Sequence, residues 1–379
     1  MVPKLRFKNF KKMEEKKLID FAPLQRGYDL PVSQIESGDY PVVFSNGILK
    51  KHRQYKVKGP GVVTGRSGTI GKVTYVNKDF WPHNTSLFVT NFFNNVPKYV
   101  YYYYQHIDFS KFATGSGVPT LNRNDLHSLD ILEPEIDEQT KIADFLSSVD
   151  ERITLLNQQY DLLCQYKKGM MQKIFSQEVR FKDENGEEFP EWNSCQLKDV
   201  ATRVTRKNKE NNQTILTISG RDGLVDQMSY FNKQIASKNV TGYYLINNGE
   251  FAYNKSYSQG YPMGAIKMLT NYDRGVVSTL YICFKLNTNQ SNSFYQHYFE
   301  SGLQNRSIEK VAQEGARNHG LLNIGVNDFF DIELQIPSLK EQIKISDYLS
   351  ALDDKIAVKK AELDKLKSWK QGLLQQMFV

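Results

Sequence analysis

The side chains of this chain that could do chemistry lie in short loops rich in glycine and in hydrogen-bonding residues. The clearest loop, residues 65–72, has three glycines that would let its backbone approach a ligand closely. Its polar candidates are Arg66, Ser67, Thr69 and Lys72. Such side chains read base edges in nucleic acids, and basic groups hold phosphates. The loop therefore indicates a nucleic-acid contact, with a glycine-rich strand connection and solvated charges as the alternative.

Two further loops of the first half have the same character. One combines Ser45 and Asn46 with Lys51 and Arg53, and an ordinary charged surface hairpin explains it equally well. The other has the sequence WPHNTS at residues 81–86. It is the weaker candidate, because tryptophan is more often a core residue than a contact.

The second half offers four candidate groups, which are Arg206 with Lys207, Arg221, Asn254 with Lys255 and Tyr257, and Arg317 with Asn318 and His319. The last group is the preferred base reader, because Arg pairs with guanine, Asn pairs with adenine, and glycines flank the group. A helix-ending loop that only positions Asn323 is its alternative. Arg206 and Lys207 would grip phosphate, although charge runs are usually solvated faces.

Catalytic constellations are missing from the sequence. It has no Asp-Pro-Pro-Tyr or Asn-Pro-Pro-Tyr motif for amino methylation, no Walker sequence and no nuclease motif. Residues 65–72 fail as a P-loop, because that motif requires glycine at position 66 and Ser or Thr at position 73. The six histidines lack metal-ligand spacing. Chemistry on a nucleic acid would therefore need partner proteins.

The elements that must position these loops include a segment that the chain contains twice. Residues 134–175 align with residues 337–378 at a constant offset of 203, and 16 of the 42 positions are identical. Apolar residues recur alternately four and three positions apart, with Lys167 interrupting the first copy and Lys359 and Lys370 the second. This pattern predicts two coiled-coil helices, each about 60 Å long. We predict that they pair with each other, and helices packed on separate cores are the alternative.

A fainter repeat marks the start of each unit, because LRFK at residues 5–8 recurs as VRFK at residues 179–182. The two repeats together predict that the chain consists of two tandem units. We also expect the two chain ends to lie near each other. Strand patterns at 72–76, 86–89, 243–246 and 276–286, with helix patterns at 96–106 and 294–302, predict an α+β fold with two mixed α/β globular regions. The predicted domains are residues 1–133, 134–176, 177–336 and 337–379.

Composition sets limits on the class of protein. The 379 residues are 40% hydrophobic, which supports proper cores, and the net charge of +7 suggests a polyanionic partner. The three cysteines stand far apart and imply neither a disulfide framework nor a zinc site. Neither an apolar leader nor an apolar run near 18 residues is present, so we expect a cytoplasmic protein without a membrane partner.

The order of these parts resembles the specificity subunit of Type I restriction-modification systems over essentially the whole chain. The resemblance is strongest in PEIDEQTKIADFLSSVD at residues 134–150 and PSLKEQIKISDYLSALD at residues 337–353. Residues 65–71 before FWPH, and residues 315–323, support it. One departure is Met13, which stands where the second unit has Trp192 and leaves the first boundary less certain.

The resemblance implies two target recognition domains separated by an antiparallel coiled coil, each reading half of a bipartite asymmetric site in double-stranded DNA. It also implies two methyltransferase subunits that methylate adenine with S-adenosylmethionine, and translocating restriction subunits that use ATP and Mg²⁺. This chain would then bind no cofactor or metal and would not be an enzyme. A pattern shared by both copies cannot read different DNA, so Phe145 and Tyr348 are predicted to bind the methyltransferase partners. A self-contained DNA-modifying enzyme and a structural coiled-coil adaptor without a nucleic-acid role are the alternatives.

Overall fold

The structure is a computed structural model, and it describes residues 3–8, 10, 12–115, 117–220, 222–231, 240–312 and 322–378. It separates into two compact units. Unit 1 contains Met1–Gln159 and Lys359–Val379, and unit 2 contains Tyr160–Val358. Each unit thus receives part of both repeated segments.

Each unit combines short strands with helices. The strands are β1 (Met13–Lys17), β2 (Leu24–Arg26), β3 (Tyr40–Phe44), β4 (Gly47–His52), β5 (Gly61–Gly65), β6 (Val73–Val76), β7 (Trp81–Pro82), β8 (Ser86–Val89), β9 (Ala113–Thr114), β10 (Thr120–Leu121), β11 (Asp130–Pro134), β12 (Asn193–Gln196), β13 (Ala201–Val204), β14 (Leu216–Ser219), β15 (Gly223–Asp226), β16 (Tyr244–Asn247), β17 (Phe251–Asn254), β18 (Ala265–Met268), β19 (Arg274–Val277), β20 (Ile282–Leu286) and β21 (Glu333–Ile336). The α-helices are α1 (Leu18–Phe21), α2 (Pro97–His106), α3 (Arg123–His127), α4 (Ile136–Phe175), α5 (Leu197–Val200), α6 (Gln227–Phe231), α7 (Asn292–Ser301), α8 (Asn305–Val311), α9 (Val326–Phe330) and α10 (Leu339–Met377). Single 3₁₀ turns lie at Val32–Gln34 and Phe109–Phe112.

The two repeated segments form the long helices α4 and α10, of 40 and 39 residues. Neither contains proline, which would break a helix of this length. In unit 1 two contacts taken together show that α4 and α10 run antiparallel. In the first, Phe145 of α4 packs edge-on against Trp369 of α10, with ring centroids 6.0 Å apart. Seven residues later in α4, the charge of Arg152 acts on Glu362, which lies seven residues earlier in α10.

Unit 2 repeats this pairing. The Tyr166 and Tyr348 hydroxyls are hydrogen-bonded at 2.9 Å, and these positions differ by 203 from Trp369 and Phe145. The predicted pairing of the two copies is therefore confirmed within each unit. The apolar seam is what makes this pairing favourable, since isolated stripes of such length would expose their hydrophobic residues.

The globular part of each unit is built on an antiparallel four-stranded sheet. Its strand order is β2-β8-β5-β6 in unit 1 and β13-β20-β17-β18 in unit 2. A two-stranded ladder precedes each long helix, formed by β1 with β11 and by β12 with β21. Helix α2 or α7 covers the sheet with aromatic residues, and Tyr99 and Phe294 are buried there. The predicted mixed fold class is confirmed.

The ends of the repeated frame also correspond. The backbone N–H of Leu5 donates to the carbonyl of Gln376 at 3.0 Å, so the two ends of the chain meet as predicted. The N–H of Val179 donates to the carbonyl of Lys173 at 3.1 Å, which is the same bond made inside the continuous chain. The lead-in of each unit is thus held by the last turn of a long helix.

The units differ in the strands attached to this frame. Unit 1 has a second sheet of order β4-β3-β7, in which β3 and β7 run parallel. Unit 2 instead has the hairpin β14–β15 and the pair β16–β19. The candidate residues Ser45 and Asn46 lie between two of these added strands, β3 and β4.

The strand pattern predicted at residues 276–286 belongs to two strands in the structure. Strand β19 ends at Val277 and β20 begins at Ile282, with a turn between them. The N–H of Tyr281 donates to the carbonyl of Ser278 at 3.1 Å, and Leu280 is 70% exposed at the turn. A continuous run of β-branched and apolar residues does not reveal such a turn, because both strands it joins have the same composition.

Candidate nucleic-acid interface

Two of the predicted loops of unit 1 meet in the structure. The ammonium of Lys72 donates to the carbonyl of Asn46 at 2.5 Å. This contact joins the loop at residues 65–72 to the turn between β3 and β4. Residues that are 26 positions apart in sequence therefore contribute to one surface.

Thr85 accepts hydrogen bonds from the backbones of both loops. The backbone N–H of Ser45 donates to Thr85 Oγ1 at 3.3 Å. The N–H groups of Arg66 and Ser67 donate to the Thr85 carbonyl at 2.9 and 3.1 Å. His83 Nδ1 lies 2.9 Å from Thr85 Oγ1, and burial lowers the pKa of His83. The backbones of both loops are thus fixed by residues of the segment 81–86.

Trp81 of that segment is structural. Trp81 is 7% exposed, its indole N–H donates to the Tyr28 carbonyl at 3.3 Å, and Lys56 lies over its ring. Gly65 is also required by packing, because a Cβ atom there would lie 1.8 Å from the Thr69 carbonyl oxygen. The polar side chains of the loop at residues 65–72 are therefore carried by a closely packed backbone.

The net charge of the whole chain is concentrated around these loops. From Tyr40 to Lys78 the sequence has eight Lys and Arg residues and no Asp or Glu. The complete chain has 49 basic and 42 acidic residues, so the rest of it has 41 basic and 42 acidic residues and a net charge of −1. A segment that contains β3 to β6 thus carries all of the excess positive charge.

Lys51 and Arg53 differ in their surroundings. Lys51 is an exposed residue of the edge strand β4. Arg53 Nη1 lies 2.8 Å from Glu36 Oε2, and both side chains are more than half exposed. Exposed pairs of this kind contribute little to stability, so Arg53 stays exchangeable for a phosphate partner.

Arg206 and Lys207 of unit 2 are adjacent but have different roles. Arg206 Nη2 lies 2.7 Å from the carboxylate of Glu250, which is buried and also accepts the Asn247 N–H at 2.8 Å. Lys207 is exposed, donates to the Gly242 carbonyl at 2.7 Å and lies over the Tyr244 ring. Both residues are exposed, but Arg206 is paired with a buried carboxylate, whereas Lys207 is held by a backbone carbonyl and an aromatic ring.

Asn254 is the last residue of strand β17, and Lys255 and Tyr257 follow it. Lys255 lies beside Leu322, whose N–H donates to the Lys255 carbonyl at 3.0 Å. Tyr257 is 65% exposed, and Asn254 Oδ1 accepts the Ser256 N–H at 3.1 Å.

A neighbouring tyrosine joins this segment to the loop after β14. The hydroxyl of Tyr261 donates to the Gly220 carbonyl at 2.7 Å, and Lys267 donates to that hydroxyl at 2.8 Å. The predicted residues Arg221, Arg317, Asn318 and His319 lie outside the residues that the structure describes.

The predicted partner residues Phe145 and Tyr348 occupy equivalent places. Phe145 packs against Phe7 and Trp369, with ring centroids 6.3 and 6.0 Å apart. Tyr348 packs against Phe181 at 5.4 Å and bonds to the Tyr166 hydroxyl. Trp369 and Tyr166 are 49% and 52% exposed. Each unit therefore presents a similar, partly open aromatic cluster on its helix pair.

Sequence reasoning missed two apolar residues, Ile48 and Leu49, which are 47% and 59% exposed on β4 among basic neighbours. A signal was present, because residues 47–52 do not alternate between apolar and polar as a half-buried strand does. Within the described ranges, no group of three His, Cys, Asp or Glu side chains could hold a metal ion. No helix in the described part of the chain is long and apolar enough to span a membrane.

Comparison with known proteins places the chain in a family. The family model of the Type I restriction modification DNA specificity domain matches residues 10–165 and 190–368. The chain is 36% identical over 91 residues to the Type I restriction enzyme MjaVIII specificity subunit of Methanocaldococcus jannaschii, a match that covers 23% of this chain and only 21% of that protein. It is 26% identical over 336 residues to the type I restriction enzyme MjaX specificity subunit of the same organism, covering 80% of this chain and 73% of that protein.

A solved structure has the same fold over the full length. The S subunit of a Type I restriction-modification system from M. genitalium has a TM-score of 0.61 and 17% identity, covering 100% of this chain and 99% of that chain. The relatives are specificity subunits, which confirms the prediction that the chain is a non-catalytic specificity subunit. Because the family model matches both halves and most of the length, the chain belongs to the family of the Type I restriction modification DNA specificity domain.

Proposed function

We propose that this chain recognises a bipartite, asymmetric sequence in double-stranded DNA for a Type I restriction-modification complex. The observation that carries the proposal is the segment Tyr40–Lys78, whose basic residues have no acidic residue among them. Attraction to the phosphate backbone supplies much of the affinity of DNA-binding proteins. In unit 1 the same segment presents Asn46, Arg66 and Ser67 on a fixed backbone, which suits base reading.

The comparison of the two units supports the bipartite character of the proposed site. Their four-stranded sheets have equivalent strand orders, whereas the attached strands and loops differ. Equivalent frames with different loops would read two different half-sites, so the complete site would be asymmetric.

The repeated helix pair supports two copies of one partner. The clusters around Phe145 and Tyr348 have equivalent residues in equivalent contacts, so one protein surface could bind both. We assign them to two adenine methyltransferase subunits, which would position restriction subunits in turn. S-adenosylmethionine, ATP and Mg²⁺ would bind to those partners.

Methylated-adenine sequencing of a host that carries this chain and its methyltransferase subunit tests the proposal. We expect a motif of two short parts separated by an unspecified spacer. Binding of the purified complex to a duplex with that motif should weaken steeply with salt, and Lys72→Ala should reduce the salt slope by about one. Lys17→Ala, on β1 outside the basic segment, is the control. A contiguous motif, or binding that is insensitive to salt, would contradict the proposal.

A further inference from the structure

Strand β4 of unit 1 is exposed in a way that folding does not explain. It lies at the edge of the sheet β4-β3-β7 and spans Gly47–His52. Its first and last residues are buried, and the four residues between them are all exposed. A β-bulge interrupts the pairing of β4 with β3 at Leu49. Beyond the bulge, the side chains of Lys50 and Lys51 are successive and point to opposite faces, so both faces of β4 are open to solvent.

Two of these four side chains are apolar. Ile48 is 47% exposed and Leu49 is 59% exposed, and neither belongs to a hydrophobic cluster formed by the described residues. Edge strands usually carry charged residues that prevent pairing with other chains. Lys50 and Lys51 satisfy that need, whereas Ile48 and Leu49 work against it. Their exposure therefore points to a ligand that covers them.

The charge around β4 identifies the chemistry of that ligand. Lys50 and Lys51 follow the apolar pair directly, and Lys72 lies at the turn that leads into the strand. No acidic residue occurs between positions 40 and 78. The ligand is therefore a polyanion that also presents apolar groups, and the major groove of DNA does so through the C5-methyl groups of thymine.

We propose that β4 enters the major groove of the half-site read by unit 1, where Ile48 and Leu49 contact thymine methyl groups. Lys50 and Lys51 contact base edges or phosphates beside them. The groove is about 12 Å wide and accepts a β-ribbon, which fits an edge strand with both faces exposed. This inference rests on the proposed DNA recognition and adds two residues that determine specificity.

Replacing thymine by uracil tests the inference, because uracil pairs in the same way but lacks the methyl group. Duplexes that carry the mapped site are made with uracil in each half-site in turn, and their affinities for the full chain in its methyltransferase complex are measured. We expect uracil in one half-site to weaken wild-type binding by about fivefold. The double variant Ile48→Ser and Leu49→Ser should bind the thymine and uracil duplexes equally.

The matched control is Ile19→Ser, because Ile19 is 45% exposed but lies on α1. This variant should keep the preference for thymine, and thermal melting should show that all variants are folded. The inference is overturned if the double variant keeps the wild-type preference, or if the wild-type protein distinguishes thymine from uracil in neither half-site. It is also overturned if the double variant loses the methyltransferase subunit and keeps its DNA preference, since β4 would then bind protein. Absence of any DNA binding by the wild-type complex would instead contradict the proposed function itself.

Discussion

The ammonium of Lys167 lies 2.5 Å from Asp353 Oδ1 in unit 2, at a position where the heptad pattern of α4 favours an apolar side chain. Unit 1 has the equivalent pair, with Lys370 Nζ 2.7 Å from Asp150 Oδ1. Both lysine side chains are only 15% exposed. Two interruptions of the predicted seam are therefore paired with carboxylates of the opposite helix. Polar pairs in such seams are best known for setting the register of helices.

The stability of unit 2 should respond differently to the loss of Lys167 and to the loss of Asp353. Lys167→Met leaves Asp353, which is 46% exposed and stays hydrated, so we expect a change in the free energy of unfolding within about 1 kcal/mol. Asp353→Asn leaves a mostly buried ammonium without its carboxylate and should cost about 1–3 kcal/mol. Urea unfolding measures both. Lys173→Met, at an exposed pair with Glu178, is the control and should be neutral. Equal effects of the two seam variants would contradict this account.

Unit 2 should lose stability in mildly acidic solution because of His297. Burial, reinforced by the charge of Lys167, lowers the pKa of His297 from 6.5 to about 4. In the unfolded chain this histidine has its ordinary pKa, so between pH 6.5 and pH 4 the unfolded state binds the extra proton. The free energy of unfolding therefore falls as the pH drops through this window, and above it the contribution is constant.

The variant His297→Tyr provides a matched test. Tyr102 occupies the equivalent place in unit 1, where its hydroxyl donates to Asp150 Oδ2 at 2.8 Å. His297 similarly faces Asp353 at 3.9 Å. His297→Tyr removes the titrating group and retains a hydrogen-bonding side chain. Urea unfolding at pH 7 and pH 5 should show a smaller acid-induced loss for this variant than for the wild type. The same loss in both proteins would contradict the assignment.

A buried carboxylate makes Arg180 important for stability. Arg180 grips Glu341 with two hydrogen bonds of 3.2 and 2.8 Å, and the Glu341 side chain is 1% exposed. Arg180→Ala leaves that charge unpaired and should cost about 2–4 kcal/mol in unfolding free energy. Arg180→Lys keeps the charge but not the paired geometry, so it should restore only part of the loss. Lys198→Ala, at an exposed pair with Asp331, should have no measurable effect.

Substitution of Lys207 should affect DNA binding, whereas substitution of Arg206 should affect mainly stability. Lys207→Ala should weaken binding to all DNA sequences alike and reduce the salt slope by about one. Arg206→Ala should mainly lower the unfolding temperature, because it removes the charged partner of the buried Glu250. Binding at several salt concentrations, together with thermal melting, distinguishes the two. A sequence-dependent loss for Lys207→Ala would show that it reads bases.

The equivalent aromatic clusters should control assembly without affecting sequence preference. Phe145→Ser and Tyr348→Ser together should weaken the binding of methyltransferase subunits, and native mass measurement should show two such subunits in the wild-type complex. Because both residues also pack within the chain, Tyr166→Ser and Trp369→Ser provide a second test at more exposed positions. A complex with a single methyltransferase subunit would contradict the symmetric arrangement.

The sequence by itself determined the repeated helices and their pairing. The predicted helical segment 134–176 contains α4 at Ile136–Phe175, because heptad spacing is a local property that can be read without knowing the fold. The equal offset of both copies then requires equivalent contacts, and Lys167–Asp353 with Lys370–Asp150 are an example. The resemblance to specificity subunits rested on the same segments.

Only the tertiary structure decided which candidate residues share a surface. Lys72 meets Asn46, and Arg206 is held by Glu250, through contacts that span 26 and 44 residues. Arg206 and Lys207 look alike in the sequence, yet only Arg206 is paired with a buried carboxylate. Likewise, the exposure of Ile48 and Leu49 becomes evident only when β4 is placed at the edge of its sheet. The physical reason is that burial depends on strand order and long-range packing, which local composition does not encode.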